Sequence, residues 1–308
     1  MSAPLVRNGV LIDDGFAEAF PMKATRIVIT AHNIKWARTA AVSMTGFATS
    51  VIACGCEAGI ERELDASETP DGRPGVAVLL FSMSGKELAK QLERRVGQCV
   101  LTCPTTAVFA GINEGEAIAL GKNLRFFGDG WQISKVIDGV RYWRVPVMDG
   151  EFVAQETTCV VKGVGGGNLL LLCTDIDSAL AVGEAAVLAM KALPSVIMPF
   201  PGGVVRSGSK VGSKYATLNA STNDAFCPSL YGLVGKSELT AQTRCVMEIV
   251  IDGLTEADVG AAMLVGMQAG IMIGATGGLL RISAGNYGGK LGPYHFHLHK
   301  LLGEGGAP

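Results

Sequence analysis

The chain has 308 residues, 41 of them glycine, and 26 Lys and Arg stand against 28 Asp and Glu for a formal charge of −2. No basic excess is available to neutralise a row of phosphates, which excludes a nucleic-acid partner. Hydrophobic residues make up 48% and charged residues only 18%, which excludes a disordered chain and leaves a surface sparse enough in charge to suit contact with another subunit.

The first residues lack the basic-then-apolar pattern of a signal peptide. The eight cysteines, at 54, 56, 99, 103, 159, 173, 227 and 245, are therefore read as reduced thiols of a cytoplasmic protein. Cys54 and Cys56 stand too close for zinc-ribbon spacing and have no matching second pair.

In chain order, the β-branched run at 26–31 predicts a strand, followed by a helix from a cap at His32-Asn33 through Met44 and closed by Gly46. A second strand is expected over 49–54 and a third over 75–81. An amphipathic helix from Gly85 to about Gly97 and a strand with a glycine turn over 124–130 complete the half. The same order recurs: strand 169–173, cap at 175–177, helix 179–193, strand 195–198, strand 245–251, a helix from Gly253 to about Gly270, and strand with turn over 280–286. Ser50-Val-Ile matches Ser195-Val-Ile. Each half thus reads β-α-β-β-α-β, an α+β protein of two ferredoxin-like lobes, 1–147 and 148–308, from an internal duplication.

Residues 259–280 carry no charge, and Gly266, Gly270 and Gly274 recur at the spacing of paired membrane helices. Gly277-Gly278, Gln268 and Thr276 interrupt the run and no aromatic or basic anchor flanks it, which argues against a membrane span. A helix apolar on every side is buried on every side, so 259–271 is expected in a contact with a second copy of the chain.

Four segments join glycine to polar side chains: 199–206, 209–214, 220–224 and 284–290. Glycine exposes backbone amides there beside Arg206, Lys210, Lys214 and Lys290, a setting suited to an anionic or acyl-bearing ligand. Gly163-Val-Gly-Gly-Gly-Asn168 precedes a strand, whereas a dinucleotide loop follows one. His295, His297 and His299 alternate, and on a strand they would share one face, read here as packing rather than as a metal site. Glu248 lies between Met247 and Ile249 in an apolar strand, where a carboxylate needs either a paired base or a catalytic role with a raised pKa.

Phe16-Ala-Glu-Ala-Phe20, Lys35-Trp36, Thr69-Pro-Asp-Gly-Arg-Pro-Gly75, Phe126-Phe-Gly-Asp-Gly130, Pro199-Phe-Pro-Gly-Gly203, Ser209-Lys-Val-Gly-Ser-Lys214, Ala220-Ser-Thr-Asn-Asp224 and Ile282-Ser-Ala-Gly-Asn286 together resemble the formylmethanofuran:tetrahydromethanopterin formyltransferase family, from about Asn8 to His299. The resemblance implies two ferredoxin-like lobes and a formyl group moved between the amine of methanofuran, or an analogue, and N5 of tetrahydromethanopterin. It also implies no metal or prosthetic group. The family's catalytic glutamate falls on Glu248. The carrier-binding set would be Phe200, Pro201, Gly202, Gly203, Arg206, Lys210, Lys214, Ser221, Thr222, Asn223, Asp224, Asn286, Tyr287 and Lys290, most of it in the second lobe. The near-neutral charge resembles the bacterial branch, which implies hydrolase subunits of a formyltransferase/hydrolase complex as partners, beside a homo-oligomer. A non-catalytic pterin-binding or scaffold subunit is the competing function class, and retention of Glu248 favours the enzyme.

Overall fold

The computed structural model describes residues 4–208, 210–218 and 220–304. The chain packs into two compact units, one of Met22–Gly163 and one of the described parts of Met1–Pro21 and Val164–Pro308.

The first unit contains β1 (Phe16–Thr30, from Met22 onward), α1 (Ile34–Thr45), β2 (Glu57–Leu64), β3 (Gly75–Ser82), α2 (Gly85–Arg95) and β4 (Ala107–Ala110). β1 lies between β3 and β4, and β2 pairs with the other edge of β3, all antiparallel. All eight residues of β3 are buried, which its run of Val, Leu and Phe permits. α1 starts where the Asn33 side chain accepts from the Trp36 amide at 3.3 Å, and α2 where Ser84 accepts from Glu87 at 3.2 Å. Leu88 and Leu92 of α2 join Ile27, Ile29, Val76 and Val78 in the core. Three further antiparallel strands, Ile133–Ile137, Val140–Val147 and Gly150–Gln155, follow, the last parallel to β4.

Two expectations fail in this unit. Residues 49–54 are not a strand: Val51–Cys54 is one helical turn, because Ser50 accepts from the Ile52 amide at 3.3 Å and Gly55, at φ 75°, ends the turn in left-handed backbone. Residues 124–130 are not a strand either. Gly121–Leu124 runs into a 3-10 turn over Arg125–Gly128, with the Arg125 guanidinium 4.6 Å from both the Phe126 and Trp143 rings. Phe126 is 65% exposed, so its β-favouring side chain has no sheet to join; the fourth strand is β4.

The second unit repeats the order with β5 (Thr157–Cys173, from Val164 onward), α3 (Ile176–Met190), β6 (Val196–Ile197), β7 (Cys245–Gly253), α4 (Glu256–Ile273) and β8 (Leu279–Ser283). β5 lies between β7 and β8, and β6 pairs with β7, again all antiparallel. Val10–Ile12 adds to β8 in parallel. β9 (Tyr294–His297) pairs with Phe16–Ala19 and leads into α5 (Leu298–Glu304). His299 therefore sits on a helix, away from the strand that holds His295 and His297. The units divide the chain at 21/22 and 163/164, a partition different from lobes 1–147 and 148–308, because β1 and β5 run unbroken through both boundaries.

α4 is long and apolar enough to cross a membrane by length and composition. The side that carries Val259, Ala262, Met263, Gly266 and Met267 is taken up within its own unit. Gly266 brings Met190 of α3 against the α4 backbone, and Gly167 and Gly253 make room for Val259. Val259, Ala262, Met263 and Met267 belong to the core that Leu169, Leu171, Ile249 and Ile251 supply from the sheet. Ala262 and Gly266, expected at a subunit contact, thus face the interior of this chain, and the exposed positions of α4 include Ala261, Gln268 and Met272.

A methyl group at residue 167 would collide with the branched and therefore stiff Val259 side chain. Gly167→Ala should lower stability by about 1–3 kcal/mol, and Val259→Ala in the same chain should restore part of the loss. Chemical denaturation of the two single variants and the double variant reads this coupling directly.

Candidate functional site

Strand alternation decides the place of Glu248. Met247, Ile249 and Ile251 of β7 enter the core under α3 and α4, so Glu248 lies on the opposite face of the sheet with Val246. Its cross-strand neighbour on β5 is Leu170, and Leu170 in turn faces Ser283 of β8. Phe226 and Leu239, from the long segment between β6 and β7, pack over Leu170, Leu172 and Val246 on this face. Glu248 is only 7% exposed. Burial pushes its pKa up to about 7, and among the described residues no hydrogen bond or ion pair reaches its carboxylate.

The turn at Pro201–Gly203 fixes the backbone beside it. Gly202 and Gly203 adopt φ of 68° and 88°, and the Gly203 amide donates to Phe200 O at 2.8 Å. The turn delivers Val205 to β7, where its amide donates to Glu248 O at 2.7 Å and its carbonyl accepts from Glu248 N at 2.9 Å. Phe200 is half-buried, while Pro201, Gly202 and Arg206 are exposed.

The next expected residues mainly brace one another. Lys210–Val211 and Ala220–Ser221 form a two-residue ladder, closed by Ser221 Oγ donating to Gly212 O at 2.8 Å. Thr222 Oγ1 donates to Ser207 O at 2.6 Å, and Asn223 O accepts from the Phe226 amide at 3.0 Å. Lys210 reaches Asp224 at 2.8 Å, and its hydrogen bond holds the Asp224 carboxyl below the usual range. Lys214 is exposed. Ser209, part of the same sequence motif, lies outside the described residues. Arg281, on the Glu248 face of β8, ties down the end of the segment: it forms a double ion pair with Asp13 at 2.6 Å and donates to Glu238 O at 2.7 Å.

The segment after β8 carries Asn286, Tyr287 and Lys290, and two side chains missed at the sequence level hold it. Asn168, buried on β5, accepts from the Gly285 amide at 2.6 Å and donates to Gly285 O at 3.1 Å. Glu18, with no exposed surface, accepts from the amides of Tyr287 (2.7 Å), Gly289 (2.9 Å), Leu291 (2.5 Å) and Gly292 (2.6 Å). Burial alone would raise the Glu18 pKa, but the four donors outweigh it and hold the carboxyl below the usual range. The Tyr287 ring lies 5.9 Å from that of Phe20, the Asn286 side chain donates to Phe16 O at 3.5 Å, and Lys290 is exposed. The signal was legible in Phe16-Ala-Glu-Ala-Phe20, an acid alternating with small and apolar residues. Asn168 had one too, as an amide side chain opening an apolar strand.

His295 Nε2 lies 3.1 Å from Gly292 O, His299 Nε2 lies 2.9 Å from Ile12 O, and Phe16 stacks at 4.7 and 5.1 Å against His295 and His297. Among the described residues no three His, Cys, Asp or Glu side chains gather as metal ligands.

Glu248 is thus a nearly buried carboxyl on the sheet face that Phe226 and Leu239 of the long segment cover. The family model for formylmethanofuran-tetrahydromethanopterin formyltransferase matches residues 5–147, and the model for the proximal lobe of the same family matches 150–301. The chain belongs to this formyltransferase family. The formyltransferase of Methylococcus capsulatus is 67% identical over 298 residues, covering 97% of this chain and all of that one. The formyltransferase/hydrolase complex of Methylorubrum extorquens, crystallised with methylofuran, contains a chain of 51% identity and TM-score 0.95, with 97% and 99% covered. The formyltransferase of Methanosarcina barkeri matches at 47% identity and TM-score 0.91, with 96% and 100% covered. The activity is transfer of a formyl group between methanofuran and tetrahydromethanopterin in one-carbon metabolism.

The Glu18 carboxyl ties the Tyr287–Gly292 turn of the formyltransferase to β1. A group with a depressed folded pKa contributes stability above its unfolded pKa of about 4.3 and loses it as pH falls through the folded value. Glu18→Gln, which replaces one acceptor oxygen by a donor, should lower the melting temperature by several degrees at pH 7. The gap to the unaltered protein should narrow as pH falls below about 4. Melting curves from pH 3 to pH 8 measure both.

Proposed function

We propose that the formyl group passes directly from one carrier to the other in a ternary complex and that Glu248 moves the proton. The observation that carries this reading is a carboxyl group buried in an apolar strand, without a paired base among the described residues and with a pKa raised to about 7. Ionised Glu248 takes a proton from the methanofuran amine as its nitrogen attacks the formyl carbon on N5 of the pterin. The protonated acid then returns the proton to N5 as the old C–N bond breaks. A single acid with a pKa near the working pH serves both steps.

In this reading the Phe200–Gly203 turn and the loops with Arg206, Lys210, Lys214, Ser221, Thr222, Asn223, Asp224, Asn286, Tyr287 and Lys290 hold the anionic carriers, with no metal or prosthetic group taking part. Arg206, Lys214 and Lys290 are exposed and supply charge. The Ser221–Asp224 group acts mainly by shaping the loop, since its side chains bond within it. The shared strand order of the two units supports two ferredoxin-like lobes from a duplication, and the family models matching 5–147 and 150–301 support the bounds 1–147 and 148–308. The likeness to a chain of the Methylorubrum extorquens complex supports association with hydrolase subunits; a cytoplasmic location and contact with a second copy of the chain belong to the same reading. The flow would then run from formyl-tetrahydromethanopterin to a methanofuran-type carrier, whose formyl group is hydrolysed to formate.

Glu248→Gln should lower turnover by about 10²–10⁴-fold while both carriers still bind, and should abolish the rise of rate with pH near 7. Stability moves the other way. Between the unfolded pKa of about 4.3 and about 7 the folded protein keeps a proton that the unfolded chain releases, so stability falls as pH rises through this window. At pH 8 the Gln variant should therefore be the more stable protein, by up to about 3 kcal/mol. Steady-state rates with both carriers, and denaturation at pH 5 and pH 8, test the two halves together. A Gln variant with near-normal turnover and an unchanged pH profile means that the proton travels by another route.

A further inference from the structure

Ser283 is the last residue of β8 and is 6% exposed, yet among the described residues its hydroxyl has no hydrogen-bond partner. A hydroxyl that no protein group engages, on a residue this nearly covered, is free to bind a ligand. Ile282, its neighbour, faces the core under α3 and α4, so Ser283 takes the opposite face of the sheet. Pairing places it opposite Leu170, and Leu170 opposite Glu248, so Glu248, Leu170 and Ser283 form one row across three strands. Two strand spacings set the ends of that row about 10 Å apart at the backbone, with both side chains rising from the same face and an apolar residue between them.

That spacing fits the chemistry of formyl transfer. A formamide-type group with one hydrogen bond at its nitrogen and one at its oxygen spans about 8 Å between the outer partners. Glu248 and Ser283 are the polar ends of the row, and among the described residues neither has a protein partner to give up. We infer that Ser283 donates its hydroxyl hydrogen to the formyl oxygen and stabilises the negative charge that develops there. The acceptor nitrogen forms its bond to the formyl carbon, and the C=O π pair moves to oxygen under the Ser283 hydroxyl. The pair returns as the bond to N5 breaks and N5 takes the proton from Glu248. Ser283 keeps its own proton throughout. The side chain of Leu170 is the dry floor that makes such a hydrogen bond count.

This inference rests on the proton-transfer reading of Glu248, and the experiment separates the two. Ser283→Ala, Ser283→Thr and Glu248→Gln are assayed with both carriers across pH 5–9, alongside melting temperature and calorimetric binding of each carrier. Loss of one oxyanion donor typically costs about 10²–10³-fold in kcat, so Ser283→Ala should fall by that order with KM for both carriers, carrier binding and melting temperature little changed. Its rate should still rise with pH near 7, the limb that Glu248→Gln abolishes. Ser283→Thr, which keeps the hydroxyl, should recover most of the loss. A Ser283→Ala variant that turns over like the unaltered enzyme overturns the inference, and so does one whose lost rate is matched by lost carrier binding or a lowered melting temperature. Normal turnover in Glu248→Gln overturns the proton-transfer reading instead, whatever the serine variants do.

Discussion

The pairing of β5 with β7 is the constraint on which the site rests. A strand has two faces, and Met247, Ile249 and Ile251 commit one of them to the core beneath α3 and α4. Glu248 is thereby placed on the other face, and a slip of one residue would drive it among methionines and isoleucines. The register is held by eight matched positions from Val164 to Cys173, interrupted by one irregularity between Val164 and Gly167. The apolar patterning that folds this unit is therefore also what shields a carboxyl group from most water and, among the described residues, from a counter-charge.

Around that carboxyl the polar side chains are bound to the frame. Arg281 grips the end of the segment that covers the sheet, Asn168 grips Gly285, and Glu18 gathers four amides of the following turn. Each is a buried or half-buried group whose hydrogen-bonding capacity is used on the loops. The contrast with Glu248 is informative. Glu18 is as buried as Glu248, but its donors favour the charged form, while burial at Glu248 favours the neutral one. Two carboxyl groups in one unit are thus driven in opposite directions by their surroundings, one toward the charged form and one toward the neutral form.

Much of this was legible in the sequence. The repeat of strand, helix and paired strands was readable because caps at Asn33, Ser84 and Asp175 and the long apolar runs act locally. Glu248 was readable because an acid in such a run has few explanations. The failures share a cause. Residues 49–54 and 124–130 have the side chains of strands, but Ser50, Gly55 and the stacking of Arg125 turn the backbone into helical turns that composition does not reveal. Apolarity all round α4 has a local source as well: glycines at 167, 253 and 266 let this chain's own elements close upon one side of it, while Ala261 and Met272 stay exposed. Glu18 and Ser283 acquire meaning only through strand pairing and loop closure, which bring residues far apart in the chain together.

Because the chain passes between its units inside β1 and β5, neither unit is contiguous with one half of the sequence. A break near residue 147 would leave the C-terminal piece without Val10–Ile12 and Glu18, and the N-terminal piece without Gly150–Gln155, the strand that pairs with β4. Written around a ring, however, the sequence sorts itself. Starting at residue 164, continuing through the last residue to the first, and stopping at 163, the order reads one complete unit followed by the other. Residues 4–21 are in topological terms the tail of the unit that carries Glu248.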